Sequence, residues 1–168
     1  MLPLRGREPA PADFDRAYET AFARLHEAIE EVRDRELDWP RQAAAGIRAV
    51  FRFAAEDPAG AAALTTEALA QGGEQIARYK HLVEYTASLL APGRGADPGR
   101  APLPDLLEEA LAGGIFMLIG GRLEQGRQAE LPSLAGEAIE FALTPYLGCR
   151  AARRLAAESG PGLRDAER

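Results

Sequence analysis

The sequence predicts an all-α fold, an orthogonal or antiparallel bundle of six main helices followed by a short seventh. Three observations predict it. Apolar residues return every three or four positions through most of the chain, the spacing of helices that bury one face. Helix-start signals recur, with a capping carboxylate before a proline at Asp57 and Pro58 and a helix-opening proline at Pro40. No stretch alternates apolar and polar residues as a half-buried strand does.

Length and composition narrow the classes. The 168 residues, 46% of them apolar, suffice for one domain with its own core. A net charge of -6 argues against a general binder of phosphate backbones. The lone cysteine, Cys149, excludes an intramolecular disulfide and suits a reducing compartment. No charged start leads into an apolar run at the N-terminus, and the longest apolar run, Ile115 to Ile119, is far too short to span a bilayer. The expectation is a soluble, cytoplasmic protein.

In chain order, residues 1–12 hold Pro3, Pro9 and Pro11 among alternating charges and read as a flexible arm. Residues 13–158 form the helical domain, and 159–168 read as a frayed tail. The first helix runs from Asp13 to Glu36, with its stripe through Phe14, Tyr18, Ala21, Leu25, Ile29 and Val32. The second runs from Pro40 to Ala55 on Ile47, Val50, Phe51 and Ala54; Arg41, Arg48 and Arg52 lie mostly on its other side, and Trp39 packs over the junction. The third, from Pro58 to Ala70, carries Leu64 and Leu69 and stops at Gly72 and Gly73.

The fourth helix, Glu74 to Leu90, has two adjoining apolar faces: Ile76, Tyr79, Val83 and Leu90, then Leu82, Tyr85, Thr86 and Leu89. So wide an arc predicts a largely enclosed helix, with Glu74 and Arg78 paired on the remainder. After the Pro- and Gly-rich loop 91–104 come two organising helices, 105–125 and 131–147. Pro145 bends the second and Gly148 ends it. The short seventh helix spans Cys149 to Glu158.

Chemistry is sparse. His26 and His81 both lack a glutamate three residues earlier, so the Glu-x-x-His element of di-iron bundles is missing. The Gly-Gly steps lack a phosphate-loop setting. No catalytic residue, metal ligand or cofactor is expected, and the chain reads as a non-enzyme.

Two surfaces remain as candidates. Gly113 and Gly120, and Gly114 and Gly121, are spaced by seven, a smooth stripe that serves either close packing within the bundle or pairing with a second copy. The homodimer reading places Gly113, Met117, Gly120, Gly121, Leu134, Ala138, Phe141 and Tyr146 at the interface. A helix bundle also leaves room for an apolar pocket. Phe51, Leu64, Ile76, Tyr79, Val83, Tyr85, Phe116 and Met117 are its candidate lining, between the fourth helix and the first organising helix. The alternative is that these residues simply fill the core.

Glu108 to Leu123, containing "EALAGGIFMLIGGRL", and Glu130 to Leu147, "ELPSLAGEAIEFALTPYL", resemble the C-terminal half of TetR-family transcriptional regulators. The stretch beginning "FDRAYETAF" is similar to the helix linking that family's DNA-binding head to its body, and "FRFAAEDPAGAAALTTEAL" to its body helices. The resemblance implies a ligand-sensing body that dimerises through its last two helices, with the pocket in the region named above. It departs from the family at the start. Twelve residues precede Asp13, too few for a helix-turn-helix head, so direct nucleic-acid binding by this chain alone is not expected. The guest expected is a small hydrophobic molecule, since no arginine recurs on the inward faces. The alternative function is a structural or protein-interaction bundle, able to pair with a full-length regulator.

Overall fold

The computed structural model describes residues 11–33, 37–97, 99 and 101–158. The expected N-terminal arm and tail lie largely outside the described residues, while the first helix, expected from Asp13 to Glu36, starts at Pro11 and ends at Glu31, with Val32 and Arg33 no longer helical.

The described residues form an all-α bundle. Its helices are α1 (Pro11–Glu31), α2 (Trp39–Glu56), α3 (Pro58–Ala62), α4 (Ala68–Gln71), α5 (Glu74–Leu90), α6 (Leu107–Glu124), α7 (Leu131–Leu147) and α8 (Cys149–Ala157). The single helix expected over 58–70 is divided into α3 and α4 by a π-helical turn, Ala63–Glu67. Asp57 does cap that segment, accepting from the Gly60 N–H at 3.0 Å, with Pro58 in the first turn. The breaks expected at Gly72, Gly73 and Gly148 occur at positive φ, which glycine adopts without steric cost.

Helix α1 buries Phe14, Tyr18, Ala21, Leu25 and Ile29 on one stripe against α2 and the π turn. Helix α2 lies at the centre, with Phe51 fully enclosed, and packs on α1, α7 and α8. Helix α5 packs chiefly on α6. It is less enclosed than its sequence suggests: Leu82, Thr86, Ala87 and Leu90 are buried, whereas Ile76 is 39% exposed. Arg78 does not bridge to Glu74. Its guanidinium reaches across to Asp15 and Glu19 of α1 and lies over the Tyr18 ring, while the Tyr18 hydroxyl donates to the Arg78 carbonyl at 2.6 Å.

Two long-range polar clamps set the bundle. Arg48, on what looked like the outer side of α2, donates to the carbonyls of Leu155 (2.8 Å), Ala156 (3.3 Å) and Glu158, so it caps the C-terminus of α8. A cation there also meets the negative end of the helix dipole. The second clamp is Glu108, only 7% exposed at the start of α6. It accepts from the Tyr146 hydroxyl of α7 at 3.0 Å and from Arg94 at 2.6 Å. Arg94 also donates to the carbonyls of Leu103 and Pro104, so it pins the loop before α6.

Burial alone would push the Glu108 carboxyl up. The Arg94 and Tyr146 hydrogen bonds outweigh it and hold the group below its usual 4.5. Tyr146 is pushed above its usual value by burial and then by the carboxylate.

Tyr146→Phe removes a hydrogen bond to a buried charge and is expected to cost about 1.5–3 kcal/mol in urea unfolding. Because the Glu108 pKa is lower folded than unfolded, the unfolded state binds more protons between the two values, and stability rises with pH there. The contribution is whole above about 4.5 and drains away as pH falls through the folded value. In Glu108→Gln this part of the acid slope should vanish.

Candidate functional site

Asp38 caps α2, its carboxylate accepting from the Arg41 N–H at 3.1 Å, and this fixes Trp39 in the first turn. The Trp39 indole N–H donates to the Leu89 carbonyl at 3.1 Å and so ties the start of α2 to the end of α5. Its ring meets Tyr146 edge-on at 5.2 Å. Gly93 lets the three come together: a Cβ there would lie 2.3 Å from Trp39 Cη2 and 2.7 Å from Tyr146 Cδ1.

Beside Trp39, between α1, α2, α5 and α6, lies a cavity of about 120 Å³. Ile29, Ile47, Val50, Leu90 and Ile115 form its apolar wall, with Ala43 and Gly46 on the α2 side. Its exposed lining residues, Arg33, Ser88 and Pro92, mark the mouth.

The polar groups around the cavity are few. Gln42 donates to the Leu37 carbonyl at 2.6 Å, and Ser88 to the Tyr85 carbonyl at 2.6 Å. Arg33 at the mouth pairs with Glu30 at 3.1 Å. The Thr86 hydroxyl is buried and has no hydrogen-bond partner. A helical threonine ordinarily finds the carbonyl a turn back, as Thr65 does with Ala61 at 2.7 Å. Tyr85, also without a partner for its hydroxyl, lies next to this wall in a ring cluster with Phe22 and His26. Burial and then Glu30 push its hydroxyl above the usual range.

None of the eight residues proposed as pocket lining borders this cavity. Phe51, Leu64 and Phe116 are core residues, and Leu64 and Phe116 meet around a void of only about 10 Å³. Tyr79, Val83 and Tyr85 are half-buried against the core, and burial raises the Tyr79 hydroxyl. Ile76 and Met117 are exposed. Phe116 is buried and Met117, about 100° further round the helix, is exposed, so the two do not face one space here. The residues that do border the cavity, Trp39, Gly46 and Thr86 above all, carry a faint sequence signal: a glycine between three alanines and Ile47 on an amphipathic helix.

The eight interface residues also divide. Met117 (61% exposed), Phe141 (55%), Gly113, Gly121 and Leu134 lie on one outer side of α6 and α7, together with Leu118 and Gly114. The Phe141 ring lies over Gly114, 3.8 Å from where a Cβ would be. Gly120, Ala138 and Tyr146 face inward and are covered within the chain. Gly120 is small because Thr66 of the π turn would meet its Cβ at 2.8 Å.

Among the described residues, no group of three histidines, cysteines, aspartates or glutamates is placed to hold a metal, and no helix is long and apolar enough to cross a membrane. No protein-family model matches the chain, and neither a curated protein nor a solved structure matches it.

A Cβ added at Gly46 meets nothing within 4 Å. Gly46→Ala is therefore expected to stabilise the fold by about 0.5–1 kcal/mol through helix propensity. A rightward shift of the urea midpoint at unchanged slope is the measurement.

Proposed function

We propose that this chain is a ligand-sensing, self-pairing helical body akin to the C-terminal half of TetR-family regulators, and that it works as a cytoplasmic homodimer rather than as an enzyme. The observation that carries the reading is the outer side of α6 and α7. Helix α6 has no charged residue from 110 to 121, yet Met117 and Leu118 stand exposed there beside Phe141 of α7. A helix that is apolar all round is stable in water only if its second face is also covered.

A second copy is the occupant that suits this face. The α6 part of this face carries no charge in a chain of net charge -6, so two copies meet most easily across α6, with Glu137 of α7 beside Leu134 and Phe141. Helix α6 packs chiefly on α5, and α7 on α2 and α8, so the outer sides of both remain open for a second copy. Two helices from each copy, related by a two-fold axis, then form a four-helix interface.

A second reading draws on the filled space around Leu64 and Phe116: a bundle that acts by pairing alone, with itself or with a full-length relative. Ligand binding separates the two.

The expected result is a dimer by sedimentation at micromolar concentration. Joint Met117→Glu and Phe141→Glu changes should weaken pairing on the order of a hundred-fold while helical circular dichroism is retained. A monomeric parent chain would remove the basis of the proposal.

A further inference from the structure

The cavity beside Trp39 is a binding site of definable chemistry, and we infer that it takes a small, neutral, mostly apolar molecule of single-ring size with one hydrogen-bonding group, which the Thr86 hydroxyl satisfies. The inference deepens the sensing part of the proposed function and rests on it.

Size comes first. The cavity of about 120 Å³ is close to the roughly 150 Å³ of an apolar cavity that holds benzene. It suits one ring and excludes a polycyclic guest. Charge comes second. Among the described lining residues the charged group is Arg33 at the mouth, and its guanidinium pairs with Glu30 in solvent rather than pointing a free charge at the apolar wall. An ionised guest would lose its hydration with nothing to replace it.

Polarity comes third. Gln42, Ser88 and the Trp39 indole each already donate to a backbone carbonyl. Thr86 is the cavity-lining side chain whose hydroxyl is buried and unpaired. Buried hydroxyls ordinarily have partners, and turning this one about χ1 toward the cavity gives it a guest that brings its own. A guest with one hydroxyl or carbonyl meets that need, and a pure hydrocarbon does not.

Trp39, the single tryptophan of the chain, lines the cavity and reports its occupancy by fluorescence. The probes are benzyl alcohol, toluene and benzoate, titrated into the full chain with thermal melting as a second readout. Benzyl alcohol and toluene are expected to change Trp39 emission saturably and raise the melting temperature; benzoate is expected to do neither.

Thr86→Val should weaken benzyl alcohol about 2- to 10-fold and leave toluene unchanged or tighter. Gly46→Leu, which places a side chain in the cavity, should abolish both. Equal benzoate binding, no saturable response to any probe, full affinity in Gly46→Leu, or an unchanged benzyl alcohol affinity in Thr86→Val would each overturn the inference. Sedimentation of the same samples separates the two claims: a dimer that ignores every probe refutes this site alone, whereas a monomer that binds them refutes self-pairing alone.

Discussion

One buried carboxylate governs how the rest of this bundle is arranged. Glu108 sits at the start of α6 with its charge almost wholly removed from water. Such a charge is tolerable only with its partners in place, because an unpaired one costs several kcal/mol. Tyr146 and Arg94 are those partners, and each brings its own element: α7 with the tyrosine, the 91–106 loop with the arginine. The Tyr146 ring in turn meets Trp39 edge-on, and Trp39 holds the end of α5 through the Leu89 carbonyl. Four helices are thus registered through one ionised group, and the cavity lies at the end of that chain of contacts.

The same arrangement explains the two-sided character of α6. Its inward stripe, Leu111, Ile115, Phe116 and Ile119, fills the space between α5, the π turn and α2, and Gly120 admits Thr66 at close range. A regular α-helix over 58–71 would present different side chains to Gly120; the extra residue of the π turn sets Thr65 and Thr66 there. With the inward stripe committed, Met117 and Leu118 stand exposed on the outward side, beside a Gly114 that is covered only by the Phe141 ring. The inner and outer faces are independent consequences of one apolar helix, and a substitution on one need not disturb the other.

Helix inventory was legible because its causes are local. The Asp57–Pro58 cap, the glycine breaks and the stripe of α1 act within one or two turns, and α5 begins and ends where its pattern does. The candidate pocket was not legible. Phe51, Leu64 and Phe116 are apolar and aromatic, but those traits suit a filled core as well as a lined cavity. A cavity is marked by what is missing, here a side chain at Gly46 and a partner for Thr86, and both become visible only once neighbouring helices are in place.

By itself, then, the sequence determined an all-α chain, most helix boundaries and the apolar richness of α6 and α7, since hydrophobic period and caps report on backbone conformation. Only the tertiary structure decided which apolar face of α6 is covered and which stands open. It also decided that Tyr146 belongs to a buried ion cluster rather than an outer surface, that Arg48 caps α8, and that Arg78 joins α1. The physical reason is range. Periodicity states that a face will be buried but not against what, and long side chains such as arginine and tyrosine find partners dozens of residues away that no local pattern encodes.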